Sequence, residues 1–338
     1  MSRMTTLCGN FHWAGLTGRP GACGHFDLRR SRRRFLIWDG RSAGRTDKRL
    51  SKPAGAWLRM IRSWSKQVAF SIGSGGGPGT GRGEGAVIER SREADAFLTA
   101  IDQTAPEAVS ACDGWTTQEI AAHVAGIAVE VIRHLEPYLQ GDPVPQTRSF
   151  EEREAPLQAI EHPALLSRLD AEEERMRRLV GDVLDREPDA VIPWTGRRMA
   201  VAKFIPHLRN EHALHRWDIA GDDETSRQLL GGMDLVDHSV GELGRILLVA
   251  GRAHDPYPDS EFHARLRTEG QPDLRVIVEN GNATLAWASD ETDEPSVDID
   301  AGARQLFIWG RRPDHRGRLR SHLTQPDLAR LQALLSGY

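Results

Sequence analysis

Residues 201–219 read VAKFIPHLRNEHALHRWDI, and the spacing within this stretch decides the fold. Val201, Phe204, Leu208, Glu211, His215 and Ile219 follow one another at steps of three, four, three, four and four. That is the spacing of one face of an α-helix. The sequence predicts a helix over about 200–220, with Gly221 as its stop. Glu211 and His215 fill positions where the pattern calls for apolar side chains. Four residues turn a helix by about 400°, so the two side chains lie about 40° apart and one turn, ~6 Å, along the same face. A buried carboxylate is costly unless it is paired or bound to a metal, and an imidazole one turn away makes a chelating pair with it. The competing reading pairs Glu211 with Arg209 or Arg216 on a solvated face. His207 precedes Glu211 by four and competes for the same role, whereas His212 lies off the stripe, at the surface or behind the ligands. Pro206 marks a kink or the helix start. Asp218, three after His215, is placed to accept the free ring N–H or to cap the helix end.

Further helices surround this one in the chain. Ala94, Phe97, Leu98 and Ile101 repeat at helical spacing. Thr116 and Glu119 have the spacing of a capping box, followed by a stripe of Ile120, Val124, Ile127, Val131 and Leu135. Gly141, Pro143 and Pro145 break the chain. A third helix is expected over Pro163–Arg186, and a fifth is marked by Leu229, Met233, Val236, Val240, Leu243 and Leu247. No strand pattern intervenes, so 86–250 reads as a helical bundle. His123 lies three after Ile120 and four before Ile127, bordering the core stripe of its helix. Taken alone it reads as a core histidine satisfied by a hydrogen bond. Taken with Glu211 and His215 it completes the two-nitrogen, one-carboxylate set of an open metal site.

Residues 251–338 change character. Arg275–Val278 and Ala283–Trp287 flank Asn280-Gly281, a hairpin signal. A short strand, Ser296–Asp300, leads to helical patterns at Ala303–Trp309 and Asp327–Leu335, which together make a small α+β domain. Residues 1–85 hold 16 of the 33 glycines, and residues 1–82 carry a net charge of +13 against −17 for the rest. They read as a disordered Arg/Gly-rich tail, with the true start of the protein expected near Val87. Ser31-Arg32-Arg33-Arg34-Phe35-Leu36 has the look of a twin-arginine signal, but charges follow where an apolar segment belongs. Gly75–Gly85 lacks the Gly-Lys-Ser/Thr of a phosphate loop. Trp57–Ile72 has the pattern of a basic surface helix, and the unstructured tail is the preferred reading of it. Arg outnumbers Lys by 40 to 4, a bias of GC-rich coding, and the acidic remainder argues against nucleic acid as a partner. No apolar run of about 18 residues exists for a membrane span. Three cysteines, Cys8, Cys23 and Cys112, are too few for a disulfide framework.

Cys112-Asp113-Gly114-Trp115-Thr116, followed by Ile120-Ala121-Ala122-His123-Val124-Ala125-Gly126, resembles the first signature of the mycothiol-dependent maleylpyruvate isomerase family. Glu211-His212-Ala213-Leu214-His215-Arg216-Trp217-Asp218 resembles its second. The resemblance covers roughly 87–338. It implies an α + α/β two-domain fold: a DinB-like helical bundle over 86–250, then a small α+β sterol-carrier-like domain over 251–338, behind the disordered tail of 1–85. It places the zinc ligands on His123, Glu211 and His215. Gly310-Arg311 resembles a Gly-Arg through which family members bring an arginine into the active site, which makes Arg311 a candidate clamp for a substrate carboxylate. The bland alternative is a solvated cluster of Arg311, Arg312, Arg316, Arg318 and Arg320. The implied chemistry is a zinc ion, or another divalent metal, activating mycothiol for addition to an electrophile, as an isomerase or a thiol S-transferase in the cytoplasm. A role for Glu211 as general base is the lesser alternative, and Cys112 reads as a thiol packed near Trp115 rather than a nucleophile. The competing class is a non-catalytic protein that binds a metal and a hydrophobic ligand.

Overall fold

The computed structural model describes residues 88–112, 114–289 and 294–336; the tail expected over 1–85 lies outside them. Helix α1 (Arg92–Asp102) begins on Ser91, whose side chain accepts from the Ala94 N–H. Helix α2 (Thr117–Gln140) begins on the Thr116/Glu119 capping box and ends at Gly141, which is left-handed at φ 78°. A second capping box, Ser149/Glu152, starts α3 (Phe150–Gln158), a helix the apolar pattern did not announce because only Leu157 among its aliphatic side chains is buried. Helix α4 spans His162–Arg186.

A short hairpin follows where no strand was expected. Strands β1 (Val191–Trp194) and β2 (Arg197–Ala200) pair antiparallel around Thr195 and Gly196, both with positive φ. Four-residue strands are too short to show a legible alternation. After a 3-10 turn at Val201–Lys203 comes α5 (Phe204–Ala220). Pro206 therefore sits in its first turn, where a missing N–H costs no helical hydrogen bond. The fifth helix of the sequence reading is broken into α6 (Glu224–Leu230), α7 (Met233–His238), a π-helical turn at Ser239–Leu243, and α8 (Gly244–Gly251). Gly231 and Gly232 interrupt it between α6 and α7.

The C-terminal sheet has the order β5-β4-β3-β6-β7, with β3 (Phe262–Arg267), β4 (Leu274–Glu279), β5 (Asn282–Trp287), β6 (Ser296–Ile299) and β7 (Leu319–Ser321). Strands β3 and β6 run parallel; the other neighbours are antiparallel. Asn280 and Gly281, at φ 49° and 77°, make the tight turn of the β4–β5 hairpin. Helices α9 (Ala301–Ile308) and α10 (Gln325–Leu334) complete the described chain. The architecture is thus a helical N-terminal region followed by a region built on a sheet.

Two apolar cores divide the molecule. Phe97, Ile120, Val124, Leu165, Met176, Phe204 and Leu208 belong to the first. Ala213, Leu214 and Trp217 belong to the second, together with apolar residues of α6–α8, the sheet, α9 and α10. By packing, α6–α8 go with the sheet. Helix α5 runs from one core into the other, and Glu211 falls between Leu208, in the first, and Ala213, in the second. Ser239 in the π-helical turn ties that turn to the end of the α9 segment, accepting from Gln305 Nε2 at 2.8 Å and Trp309 Nε1 at 3.0 Å. Gln305 Nε2 also reaches Asn210 Oδ1 on α5. On α2, Gly126 lets α3 lie close: a Cβ there would stand 3.2 Å from Glu154 Cγ and 3.6 Å from Arg153 Cγ. Among the described residues no helix is long and apolar enough to cross a membrane.

Candidate metal centre

Helices α2 and α5 bring His123, Glu211 and His215 together, all buried, with one potential ligand atom of each within 4.8 Å of the others. Glu211 Oε2 lies 3.4 Å from His215 Nε2 and 3.8 Å from His123 Nε2. The two imidazole rings are 5.1 Å apart, nearly perpendicular. The i, i+4 spacing on α5 produces the first pair, and the capping box that starts α2 fixes the register in which His123 faces it.

The other nitrogen of each ring is engaged. His123 Nδ1 lies 2.7 Å from Glu154 Oε1 on α3. His215 Nδ1 lies 2.8 Å from Asp218 Oδ2, one turn on along α5. A ring that donates from Nδ1 to a carboxylate presents the Nε2 lone pair, so both histidines offer Nε2 to the same point. Asp218 is in turn gripped by Arg311 from the turn after α9: Nε donates to Oδ1 at 2.7 Å and Nη2 to Oδ2 at 2.6 Å. Trp115 stacks on His215, ring centroids 6.2 Å apart, and meets His123 edge-on at 5.1 Å. Phe150 lies 5.6 Å from the His123 ring.

Electrostatics set the charge states. Burial pushes the Glu211 carboxyl up, but the imidazoles of His123, His215 and His207 around it outweigh this and hold the group well below the carboxylate range. For Asp218, burial is again opposed, here by the Arg311 charge and hydrogen bonds, and the net direction is down. Burial drives His207 down to about 4, so its ring is neutral near pH 7. Among the described residues, Glu211 has imidazoles within ion-pair reach but no arginine or lysine. Elsewhere the bundle handles a buried carboxylate differently: Glu130 on α2 takes Arg133 and Arg148. A buried glutamate held ionised and faced by ring nitrogens matches what a divalent cation asks of its ligands, so the residues present fit such an ion.

The competing histidines fall outside the group of three, His207 facing the opposite oxygen of Glu211. His207 Nε2 stands 3.8 Å from the other oxygen of Glu211, and its Nδ1 is 3.3 Å from His238 Nε2. His212 is buried rather than superficial and meets Glu173 of α4 at 2.6 Å. Arg209, offered as a partner of Glu211, pairs with Glu93 and Asp234 instead. Arg216 turns to Asp223. Glu154, Arg153 and Phe150 were missed from the sequence because the helix carrying them was missed; the Ser149/Glu152 box was the available signal.

Residues 89–220 match the family model described as "Mycothiol maleylpyruvate isomerase N-terminal domain". That segment contains His123, Glu211, His215, Glu154 and Asp218; Arg311 lies beyond it. Among solved structures, a mycothiol-dependent maleylpyruvate isomerase is similar at 16% identity and a TM-score of 0.45, over 66% of this chain and 86% of that one. A variant of that enzyme with a histidine replaced by alanine is similar at 16% identity and a TM-score of 0.42, over 68% and 88%. No curated protein matches the chain.

Proposed function

From the match of residues 89–220 to the mycothiol maleylpyruvate isomerase N-terminal domain, we propose that this chain is a mycothiol-dependent enzyme of that type. Its metal ligands are His123, Glu211 and His215, and its reaction is the addition of a thiol to an electrophilic substrate. The observation that carries the reading is the convergence of two Nε2 atoms and one carboxylate from two helices, with each Nδ1 held by its own carboxylate.

A divalent ion bound by this set, zinc for preference, supplies the positive charge that keeps a small thiol deprotonated and nucleophilic near neutral pH. The chain's own residues do the rest. Glu154 and Asp218 fix the tautomers of the two histidines and their ring orientation. Arg311 keeps Asp218 ionised, so that it only accepts, and thereby acts on His215 from the C-terminal region. Trp115 and Phe150 wall the centre with apolar surface that limits the access of water. In an isomerase the thiol adds to an activated alkene, the new single bond rotates, and elimination restores the alkene; in a transferase the adduct is the product. Both use the same ligands. A cosubstrate that must stay reduced places the working enzyme in the cytoplasm.

The test is metal content per chain by elemental mass spectrometry on protein purified without added metal or a histidine tag. It is run beside maleylpyruvate isomerisation assayed with mycothiol. About one divalent ion per chain is expected, lost with activity in Glu211→Ala and retained in His207→Ala. A wild-type chain that holds no metal and cannot be reloaded overturns the reading. Full occupancy in Glu211→Ala overturns the ligand set.

A further inference from the structure

The fork of Arg311 is occupied. Nε and Nη2 are both taken by Asp218, and Nη1 lies 3.3 Å from the Trp309 carbonyl. A ligand carboxylate would have to displace a buried carboxylate to use it. A second arginine near the centre has the opposite character. Arg153, on α3, has a side chain only 4% exposed. Its Nε and Nη2 reach a single acceptor, Glu154 Oε1, each at 3.4 Å. That oxygen already lies 2.7 Å from His123 Nδ1. Arg153 Nη1 has no hydrogen-bond partner among the described residues.

A guanidinium this buried ordinarily has its donors filled, by a carboxylate held bidentately. Arg153 has one distant, shared oxygen instead. Its position is nonetheless fixed. Its Cζ lies 4.2 Å over the Phe150 ring, a cation–π arrangement, and its stem packs near Gly126 of α2. Phe150 is itself 46% exposed, and its ring is 5.6 Å from that of His123. The unfilled donors thus belong to a side chain held between an open aromatic ring and the carboxylate that orients a metal ligand.

We propose that Arg153 is the anion-recognition residue beside this centre: it binds a carboxylate of the electrophile through its unfilled donors, with the exposed Phe150 ring as the apolar surface next to it. The assignment of the ligand as the electrophile rests on the reading of His123, Glu211 and His215 as the metal centre. Arg311 then serves as a positioning residue acting through Asp218, and Arg153 as the residue that selects for charge.

The test titrates maleate and its uncharged isostere maleamide into the full chain by calorimetry, as purified and again after chelator treatment. The wild type is expected to prefer maleate. In Arg153→Gln that preference falls by about tenfold or more, the worth of a charge-assisted hydrogen-bonded pair, while maleamide binding is unchanged. In Arg153→Lys, which keeps the charge but not the fork, the loss is intermediate. A wild type with no preference for the dianion overturns the proposal, and so does an Arg153→Gln that keeps the wild-type preference. Metal content is measured on the same samples. A wild type without metal overturns the reading of the centre and leaves the Arg153 comparison to be decided by the chelated arm.

Discussion

Arg311 holds Asp218 by both carboxylate oxygens, at 2.7 and 2.6 Å, across 93 residues of chain. Because Asp218 Oδ2 also meets His215 Nδ1, a side chain from the sheet-bearing region reaches the proposed metal centre of the helical region through one carboxylate. Asp218→Asn removes the charge but keeps the shape. It is expected to lower metal affinity by about 10- to 100-fold, measured by competition with a chromophoric chelator. Unchanged affinity would show that Asp218 does not govern His215. Arg311→Gln leaves a buried carboxylate without its counter-ion and is expected to cost about 3 kcal/mol in urea denaturation. The double variant should recover part of that loss, the signature of direct coupling.

Gly310 sets where Arg311 can reach. It sits at φ 74°, and a Cβ there would meet the Leu335 carbonyl oxygen at 2.8 Å. Gly310→Ala combines a left-handed backbone, ~1–2 kcal/mol for an L-residue, with a clash against main chain that has no rotamer to escape into. The urea midpoint should fall, and metal affinity should fall with it as Arg311 is displaced. A fall in stability with metal affinity intact would mean that Arg311 follows the backbone shift without losing Asp218.

The pair that docks α1 on α5 predicts an acid-sensitive term. Arg209 donates from Nε to Glu93 Oε2 at 3.0 Å and from Nη2 to Oε1 at 3.1 Å. Burial pushes the Glu93 carboxyl up, but the Arg209 hydrogen bonds and charge outweigh it and bring it from 4.5 down to about 2. A carboxyl depressed in the folded state is protonated first in the unfolded chain. Its stabilisation is therefore complete above pH 4.5 and lost as pH falls toward about 2. The shift corresponds to roughly 3 kcal/mol at 1.36 kcal/mol per unit. Denaturation of wild type and Glu93→Gln across that window should show the difference between them shrinking as pH falls. A constant difference would remove the ion pair as its cause.

What was legible in the sequence was what periodicity encodes. The stripe on α5 marked its two polar intruders because every neighbour on that face was apolar, and the Thr116/Glu119 box set the start of the helix that carries His123. The Asn280-Gly281 turn announced its hairpin through a backbone requirement few other residues meet. What escaped was held by tertiary contact alone. Helix α3 buries little aliphatic surface, so its stripe is faint, yet it supplies Glu154 and Arg153. Strand β7 is fixed by pairing with β6, and β3 by β6 as well as by its neighbour β4, and pairing is a contact that a local window does not encode. The destination of Arg311 was equally invisible: spacing says nothing about which carboxylate an arginine 93 residues away will meet.

The missing side chain at Gly126 couples two tasks. Glu154 and Arg153 both lean over it, with Cγ atoms 3.2 and 3.6 Å from where a methyl would sit. One of them steers the ring of His123; the other is the seat proposed for the substrate's charge. The gap between α2 and α3 is set first by Glu154: a methyl at position 126 would crowd its Cγ while only touching that of Arg153. A side chain longer than a methyl would press on both, so the proposed metal ligand and the proposed charge seat share one clearance.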